Sequence, residues 1–411
     1  MSTPANTPAQ PGAWWSLTVT TAIQAMVSMA LLTLPAMAPK VARALELPTT
    51  LVGTYVALCY LGAMVASLIG GTLVRRLGAI RVSQWGLLLC ALGLLLCALP
   101  WVPAVAAGAL LIGCGYGPIT PASSHLLART TPAHRMSLVF SVKQTGVPAG
   151  GMLAGALVPG MALALGWQGA LLAVAALCVA CAALAQPLRA PLDDDRQPGQ
   201  ALALGALLAP IRMVFAHRPL MVLAAVSALF SAVQVSTTAY MVTYLNESLD
   251  MTLLAAGVAL SVSQLAGVIG RIAWGAVADR IMSPRNTLIV LALLMMAGSV
   301  LTALLQASWS TALIWAIVAL LGASAIGWNG VYLATVARQA PPGQADIATG
   351  GTLLFTFMGV MAGSPAFGAL AGASGSYRVA FAALVVPAAL ALALLVWRAL
   401  QVRREESRKG Q

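Results

Sequence analysis

From Trp14 to Arg398 the chain runs as a series of apolar stretches, most of about twenty residues or more, joined by loops that hold nearly all of its charge. Such stretches cannot all be buried in a soluble domain, because too little polar surface remains to cover them. Only 8% of the 411 residues are charged and 60% are hydrophobic, whereas a soluble domain carries about 25% charged residues. The solvent met by most of the surface must therefore be lipid. In a bilayer every backbone N–H and C=O has to be satisfied inside the fold, which leaves helices or a closed barrel. A barrel would show short alternating segments, so the fold class is all-α and membrane-spanning.

Spans are predicted at 14–39, 50–73, 80–99, 102–128, 137–164, 168–186, 219–245, 253–278, 286–305, 309–337, 346–371 and 377–398. These twelve put both termini on one side. One long polar stretch, 187–218, interrupts them and contains Asp193, Asp194 and Asp195. The expected organisation is a six-helix bundle over 1–186, a cytoplasmic linker over 187–218, and a second bundle with a tail over 219–411. Ala36-Met37-Ala38 would fit a signal-peptide cleavage site, but residues 1–13 hold no Lys or Arg and the apolar stretch is too long. The first stretch is therefore read as a span. The six cysteines all fall in apolar runs and read as buried thiols.

The net charge of +12 would suggest nucleic acid for a soluble protein. Here its placement tests the topology, and no nucleic acid partner is expected. Of the 22 Lys and Arg, seventeen lie in loops on the side of the termini or in the tail. Arg75, Arg76, Arg81, Arg129, Arg135, Arg280, Arg285 and Arg338 are among them. Only Lys40, Arg43 and Arg378 fall on the opposite side. Cationic loops stay cytoplasmic, so both termini are expected inside, in the cytoplasmic (inner) membrane of a bacterium.

The two halves repeat. Gly53 and Gly71 match Gly257 and Gly275 at one offset; Gly113, Arg129 and Pro132 match Gly322, Arg338 and Pro341 at another. The loop after span 8 reads Gly275-Ala-Val-Ala-Asp279-Arg280, and that after span 2 reads Gly71-Thr-Leu-Val-Arg75-Arg76-Leu-Gly78. Both resemble the signature G-x-L-x-D-R-x-G-R-[KR] of the major facilitator superfamily, a resemblance that covers the whole chain. It implies two pseudo-symmetric six-helix bundles with a substrate site between them near the bilayer midplane. It also implies that these loops are gates, whose Asp meets a helix N-terminus and whose Arg meets acidic groups. The first copy has Arg75 where the family has Asp, so its latch is expected to be weaker or rebuilt. The second keeps Asp279 but lacks the following Gly.

None of the ten acidic residues falls within a predicted span interior. A carrier of organic cations would want a buried carboxylate, and so would most sugar–proton symporters. The intramembrane charges are instead Arg271 and Lys143, and charges there are functional by default. Arg271 lies four residues before Gly275 and eight before Asp279, about 12 Å up the helix from the loop. Its planar fork suits a carboxylate; the alternative is a structural Arg satisfied by backbone carbonyls or snorkelling to headgroups. The segment Arg271-Ile-Ala-Trp-Gly275 is similar to the span-8 arginine segment of monocarboxylate, oxalate/formate and nitrate/nitrite transporters, which implies contact between Arg271 and a substrate anion. Lys143 sits amid Gly146, Pro148, Gly150 and Gly151. It reads as a second anion contact or a group that changes charge, with snorkelling as the alternative.

Gln24, Tyr60, Tyr116, Gln234, Gln264, Trp328, Asn329 and Tyr332 complete a candidate cavity. Tyr116 and Tyr332 stand out because spans 4 and 10 line the cavity in the superfamily. His125 reads as a polar contact at its helix end, and Lys40 as a further cation at the far end of span 1. No phosphate-binding G-x-x-x-x-G-K-[ST] occurs, so transport would be secondary. The expected function is secondary transport of a small organic anion, a carboxylate, coupled to a proton or to a counter-anion. Export of a hydrophobic or zwitterionic drug against protons is the alternative, and a transporter-like sensor a minor one. No cofactor is called for, and a monomer is expected.

Overall fold

The computed structural model describes residues 13–132, 136–197, 199, 209–341 and 344–409. Arg135 lies outside the described residues. No strand occurs among those described.

Helix α1 is Ala13–Ala36 continued by Ala38–Ala44, α2 Val52–Leu77, α3 Ala79–Cys97, and α4 Val102–Tyr116 continued by Ile119–Thr130. Met136–Gln144 leads into Gly146–Leu184, an unbroken helix by hydrogen bonding alone. Gly166, at φ 77° and ψ 167°, folds it back on itself, a conformation open to glycine at little cost. The first arm, 136–165, is α5 and the second, 167–184, is α6. Among the described residues the eleven long apolar helices thus amount to twelve spans, because one 51-residue run is a hairpin. The second half comprises α7 Arg218–Ser248, α8 Leu253–Arg280, α9 Pro284–Ala303, α10 Thr311–Ala325 continued by Asn329–Gln339, α11 Ala345–Ser374, and α12 Tyr377–Ala383 continued by Val385–Lys409. Between the halves lie short helical segments at Gln186–Leu188, Arg189–Leu192 and Ala209–Ala216.

Among the boundaries that differ from the predicted spans, two concern charged residues near the far face. Helix α1 runs on past residue 39, so Lys40 and Arg43 are helical rather than in a loop. Helix α7 extends to Ser248 and carries Glu247 in its last turn. In both, polar residues continue a helix past the apolar run that defined it.

The molecule has a linker face, bearing the linker and the described chain ends, and a far face. At the far face the halves are joined. The Tyr240 hydroxyl donates to the Thr50 carbonyl (2.6 Å) and accepts from the Gly53 amide (2.7 Å). Thr49 donates to Glu247 (3.0 Å) and lies 2.8 Å from the Tyr377 hydroxyl. Deeper, Ser261 on α8 donates to the Met152 carbonyl on α5 (2.9 Å). The halves are therefore in contact across the far face.

The linker face is organised differently. Helix α9 begins there with its own cap, Ser283. Helix α3, the repeat partner of α9, begins at Gly78, which has no side chain to cap with. The Asp193 carboxylate reaches in from the linker and accepts from the Ile80 and Arg81 amides (2.8 and 3.0 Å). The Gln197 amide donates to the Arg75 carbonyl (2.7 Å). Arg129 bonds Asp194 and Asp195 (2.6 Å each), and His125 meets Asp195 at 2.6 Å. The acidic run thus fastens the linker to the first half. Its last helix reaches the second half, where Phe215 packs edge-on to Phe355 of α11 at 5.8 Å.

Burial pushes the Asp193 carboxyl up from its ordinary range despite the two amides, while the Arg129 guanidinium holds Asp194 below it. Asp193→Ala is expected to cost about 1 kcal/mol, the scale of a lost cap. Asp193→Asn should retain most of that, since burial already disfavours the charge. Thermal unfolding of the purified variants gives the order.

Candidate functional site

Arg271 and Lys143 lie in the membrane interior, on α8 and α5. Arg271 is 8% exposed and Lys143 1%. The first half of α10 ends at Ala325, so the Ile326 carbonyl is turned out of the helix ladder and accepts from Arg271 Nε (3.1 Å). Arg271 Nη1 crosses to the other half and donates to the Gln144 carbonyl (2.6 Å), at the break in α5 beside Lys143. The carbonyl contacts named as the structural alternative for Arg271 are thus present, and one of them bridges the halves. Two of the five guanidinium N–H groups are so used; the Nη2 end carries no hydrogen bond among the described residues. Lys143 Nζ is buried with no hydrogen-bond partner among the described residues.

The surroundings are polar but uncharged. Gln24 on α1 is fully buried with both amide atoms unpartnered. The Gln24 side chain packs against Gly146, just past Lys143. Tyr60 and Tyr116 lie 6.0 Å apart between ring centroids, and Tyr60 lies 5.8 Å from Phe357 of α11 across the halves. Arg271 is within electrostatic reach of both tyrosines and of Lys143. Gln264 packs on Gly151, again across the halves. These residues form one cluster between α1, α2, α4, α5 and α8.

A second group lies in the C-terminal half. Gln234 Oε1 accepts from Trp328 Nε1 (2.9 Å) and Asn329 Nδ2 (3.1 Å). An indole nitrogen can only donate, so the Gln234 amide is oriented with its oxygen inward. Tyr332 stacks edge-on to Trp328 at 5.1 Å and is 1% exposed. It lies within its own half rather than with the cations. Tyr116 and Tyr332 are therefore not brought together by the repeat.

The signature loops also diverge. Asp279 meets Arg338 (3.2 Å), both well exposed. Gly275 and Gly71 have open space where a side chain would stand, and Arg75, Arg76 and Arg280 are exposed. Where the family pattern would have an Asp at 75, the linker's Asp193 supplies a carboxylate to a helix N-terminus on that side of the molecule. Sequence reasoning missed that role, as well as the far-face part of Tyr240. A Gly at the N-cap position of α3 followed by an acidic run in the linker was the available signal for the first; nothing marked Tyr240 out. Lys40 donates to the Ala162 carbonyl of α5, at the far end of the first half and away from Arg271.

Comparison with known proteins fits this architecture. Residues 17–353 match the family model of the Major Facilitator Superfamily. No curated protein sequence matches the chain. Among solved structures it is similar to a bacterial homologue of the human lysosomal transporter Spinster, in an inward-facing and occupied conformation (TM-score 0.76, 13% identity, 95% of this chain and 97% of that one). It is also similar to the nucleoside transporter NupG (TM-score 0.76, 15% identity, 92% and 99%). At these identities the likeness concerns the fold. The family match over most of the chain, with the all-helical fold and its membrane-spanning helices, makes this protein a member of the major facilitator superfamily and a multi-pass membrane transporter.

Proposed function

We propose that the protein is a secondary active transporter of a small organic anion, a carboxylate, held between Arg271 and Lys143 and passed across the membrane by alternating access. One observation carries this reading. Two cations lie buried together in the span interiors, one of them unpartnered, and the acidic side chains described all sit at helix ends or in the linker. A site with this charge is incomplete without an anion. The excess of Lys and Arg on the linker face supports a cytoplasmic linker and termini, in a bacterial inner membrane. The joined far face then corresponds to a carrier shut toward the outside. A monomer suffices, since both halves of the site come from one chain.

The purified protein in detergent should be stabilised by carboxylates that fit. A ligand at 100 times its Kd adds about 2.7 kcal/mol, and the shift should be absent with the matching amides. Stabilisation by amides and carboxylates alike would count against an anion site. The aromatic lining of Tyr60, Tyr116 and Phe357 favours a second reading, export of a hydrophobic compound. Expression in a pump-deleted host would then raise the inhibitory concentration of such drugs, which the anion reading does not expect. The nucleoside transporter among the structural relatives bears on the fold alone.

A further inference from the structure

We infer that Lys143 is the group on which a proton travels with the anion, so that the unit carried is one anion and one proton. The inference rests on the anion reading above and deepens it.

Lys143 faces no countercharge among the described residues. From α1, Gln24, uncharged and itself unpartnered among the described residues, packs on Gly146 just past it. From α8 it meets Arg271, a like charge bonded to the backbone of the very next residue, Gln144. Helix α4 contributes Tyr116 and, nearer the linker face, His125 and Arg129, which are bonded to Asp194 and Asp195 of the linker. Tyr60 comes from α2. An ammonium buried without a partner is expensive, and a neighbouring guanidinium raises the cost. The neutral amine is the inexpensive form of the empty site, and among the buried cations only a lysine can take it; a guanidinium stays charged.

An anion entering between Arg271 and Lys143 reverses this balance. It brings the missing charge and an acceptor for Nζ, so the amine binds a proton and becomes an ammonium–carboxylate pair beside the guanidinium. On the other side the carboxylate departs and the proton leaves the nitrogen. No bond other than N–H forms or breaks, and Arg271 keeps its charge throughout. Linkage makes the effect reciprocal: the proton tightens the anion by the factor by which the anion tightens the proton. A monovalent anion then crosses without net charge beyond that of the empty carrier.

The test uses the full chain in proteoliposomes with radiolabelled acetate, pyruvate and benzoate. In the wild type an inward proton gradient should drive accumulation of at least one, and a potassium diffusion potential alone should not. Lys143→Arg, always charged, should retain anion exchange and lose accumulation by at least tenfold; Lys143→Gln should lose the pH response and bind more weakly. In lightly buffered detergent with a pH dye, adding the transported anion should draw about one proton per molecule from solution in the wild type and none in Lys143→Gln. Accumulation by Lys143→Arg at the wild-type level, or unchanged proton uptake in Lys143→Gln, would overturn the proposal and leave the anion site standing. If the wild type carries none of the three, or Arg271→Ala carries them as well as the wild type, the anion reading itself fails and this inference with it.

Discussion

Arg271→Ala is expected to reduce anion uptake by at least about 100-fold while leaving the protein folded. Removing one partner of a buried charged pair costs about 2–5 kcal/mol, and 100-fold lies within that range. The Arg271 side chain has two duties in the structure: it bonds Ile326 within its half and Gln144 across the interface. The substitution removes both, so the readout has to separate them. Arg271→Lys keeps the charge and loses the fork. It should recover part of the uptake at a raised KM if the anion is the partner that matters. If the bridge to Gln144 matters more, both variants should bind the anion normally and fail only in turnover. Elution as a single symmetric peak in size-exclusion chromatography checks the fold of each.

The second large effect is expected from Gly53→Val at the far face. A Cβ there would run into the Ser364 carbonyl oxygen and the Tyr240 hydroxyl, which comes from the opposite half. The Gly53 amide bonds that same hydroxyl, which also holds the Thr50 carbonyl. A side chain would therefore wedge the closure at the point where its hydrogen bonds are made. Overpacking costs about 1–3 kcal/mol, and here the cost falls only on the state in which the far face is shut. The population should shift by roughly 5- to 150-fold toward the open far face. A cysteine at Ser364, fully buried in this structure, should react slowly with an impermeant maleimide when Gly53 is present and many-fold faster with Gly53→Val. Uptake should fall in parallel. Equal labelling rates would show that the far face does not close through Gly53.

The spans and their arrangement were readable from the chain because lipid permits few solutions. Twenty-residue apolar runs and the placement of Arg and Lys are set by physics that acts locally along the sequence. The hairpin at Gly166 kept spans 5 and 6 distinct in pattern even though their hydrogen bonding is continuous. The cations were legible for the same reason, since a charge inside a span stands out against its surroundings. Their partners were not. The Ile326 and Gln144 carbonyls that hold Arg271 are backbone atoms freed by breaks in α10 and α5, and backbone acceptors leave no trace in residue type. Tyr332 shows the other difficulty. The repeat places it on the partner helix of Tyr116, but Trp328 and its own half enclose it; a repeat sets helix positions and leaves side-chain company to local packing. The missing Asp at position 75 was visible, and its consequence was foreseen only in part. The replacement carboxylate stands at Asp193, more than a hundred residues away, and only the fold brings it to the start of α3.

The central claim is that the midplane site carries an anion by its charge. Uptake into proteoliposomes of radiolabelled carboxylates, each paired with its uncharged amide, tests it most directly. The expected result is saturable uptake of at least one carboxylate, negligible uptake of its amide, and loss of the carboxylate signal in Arg271→Ala. Equal uptake of acid and amide, or undiminished carboxylate uptake without the Arg271 guanidinium, would contradict it.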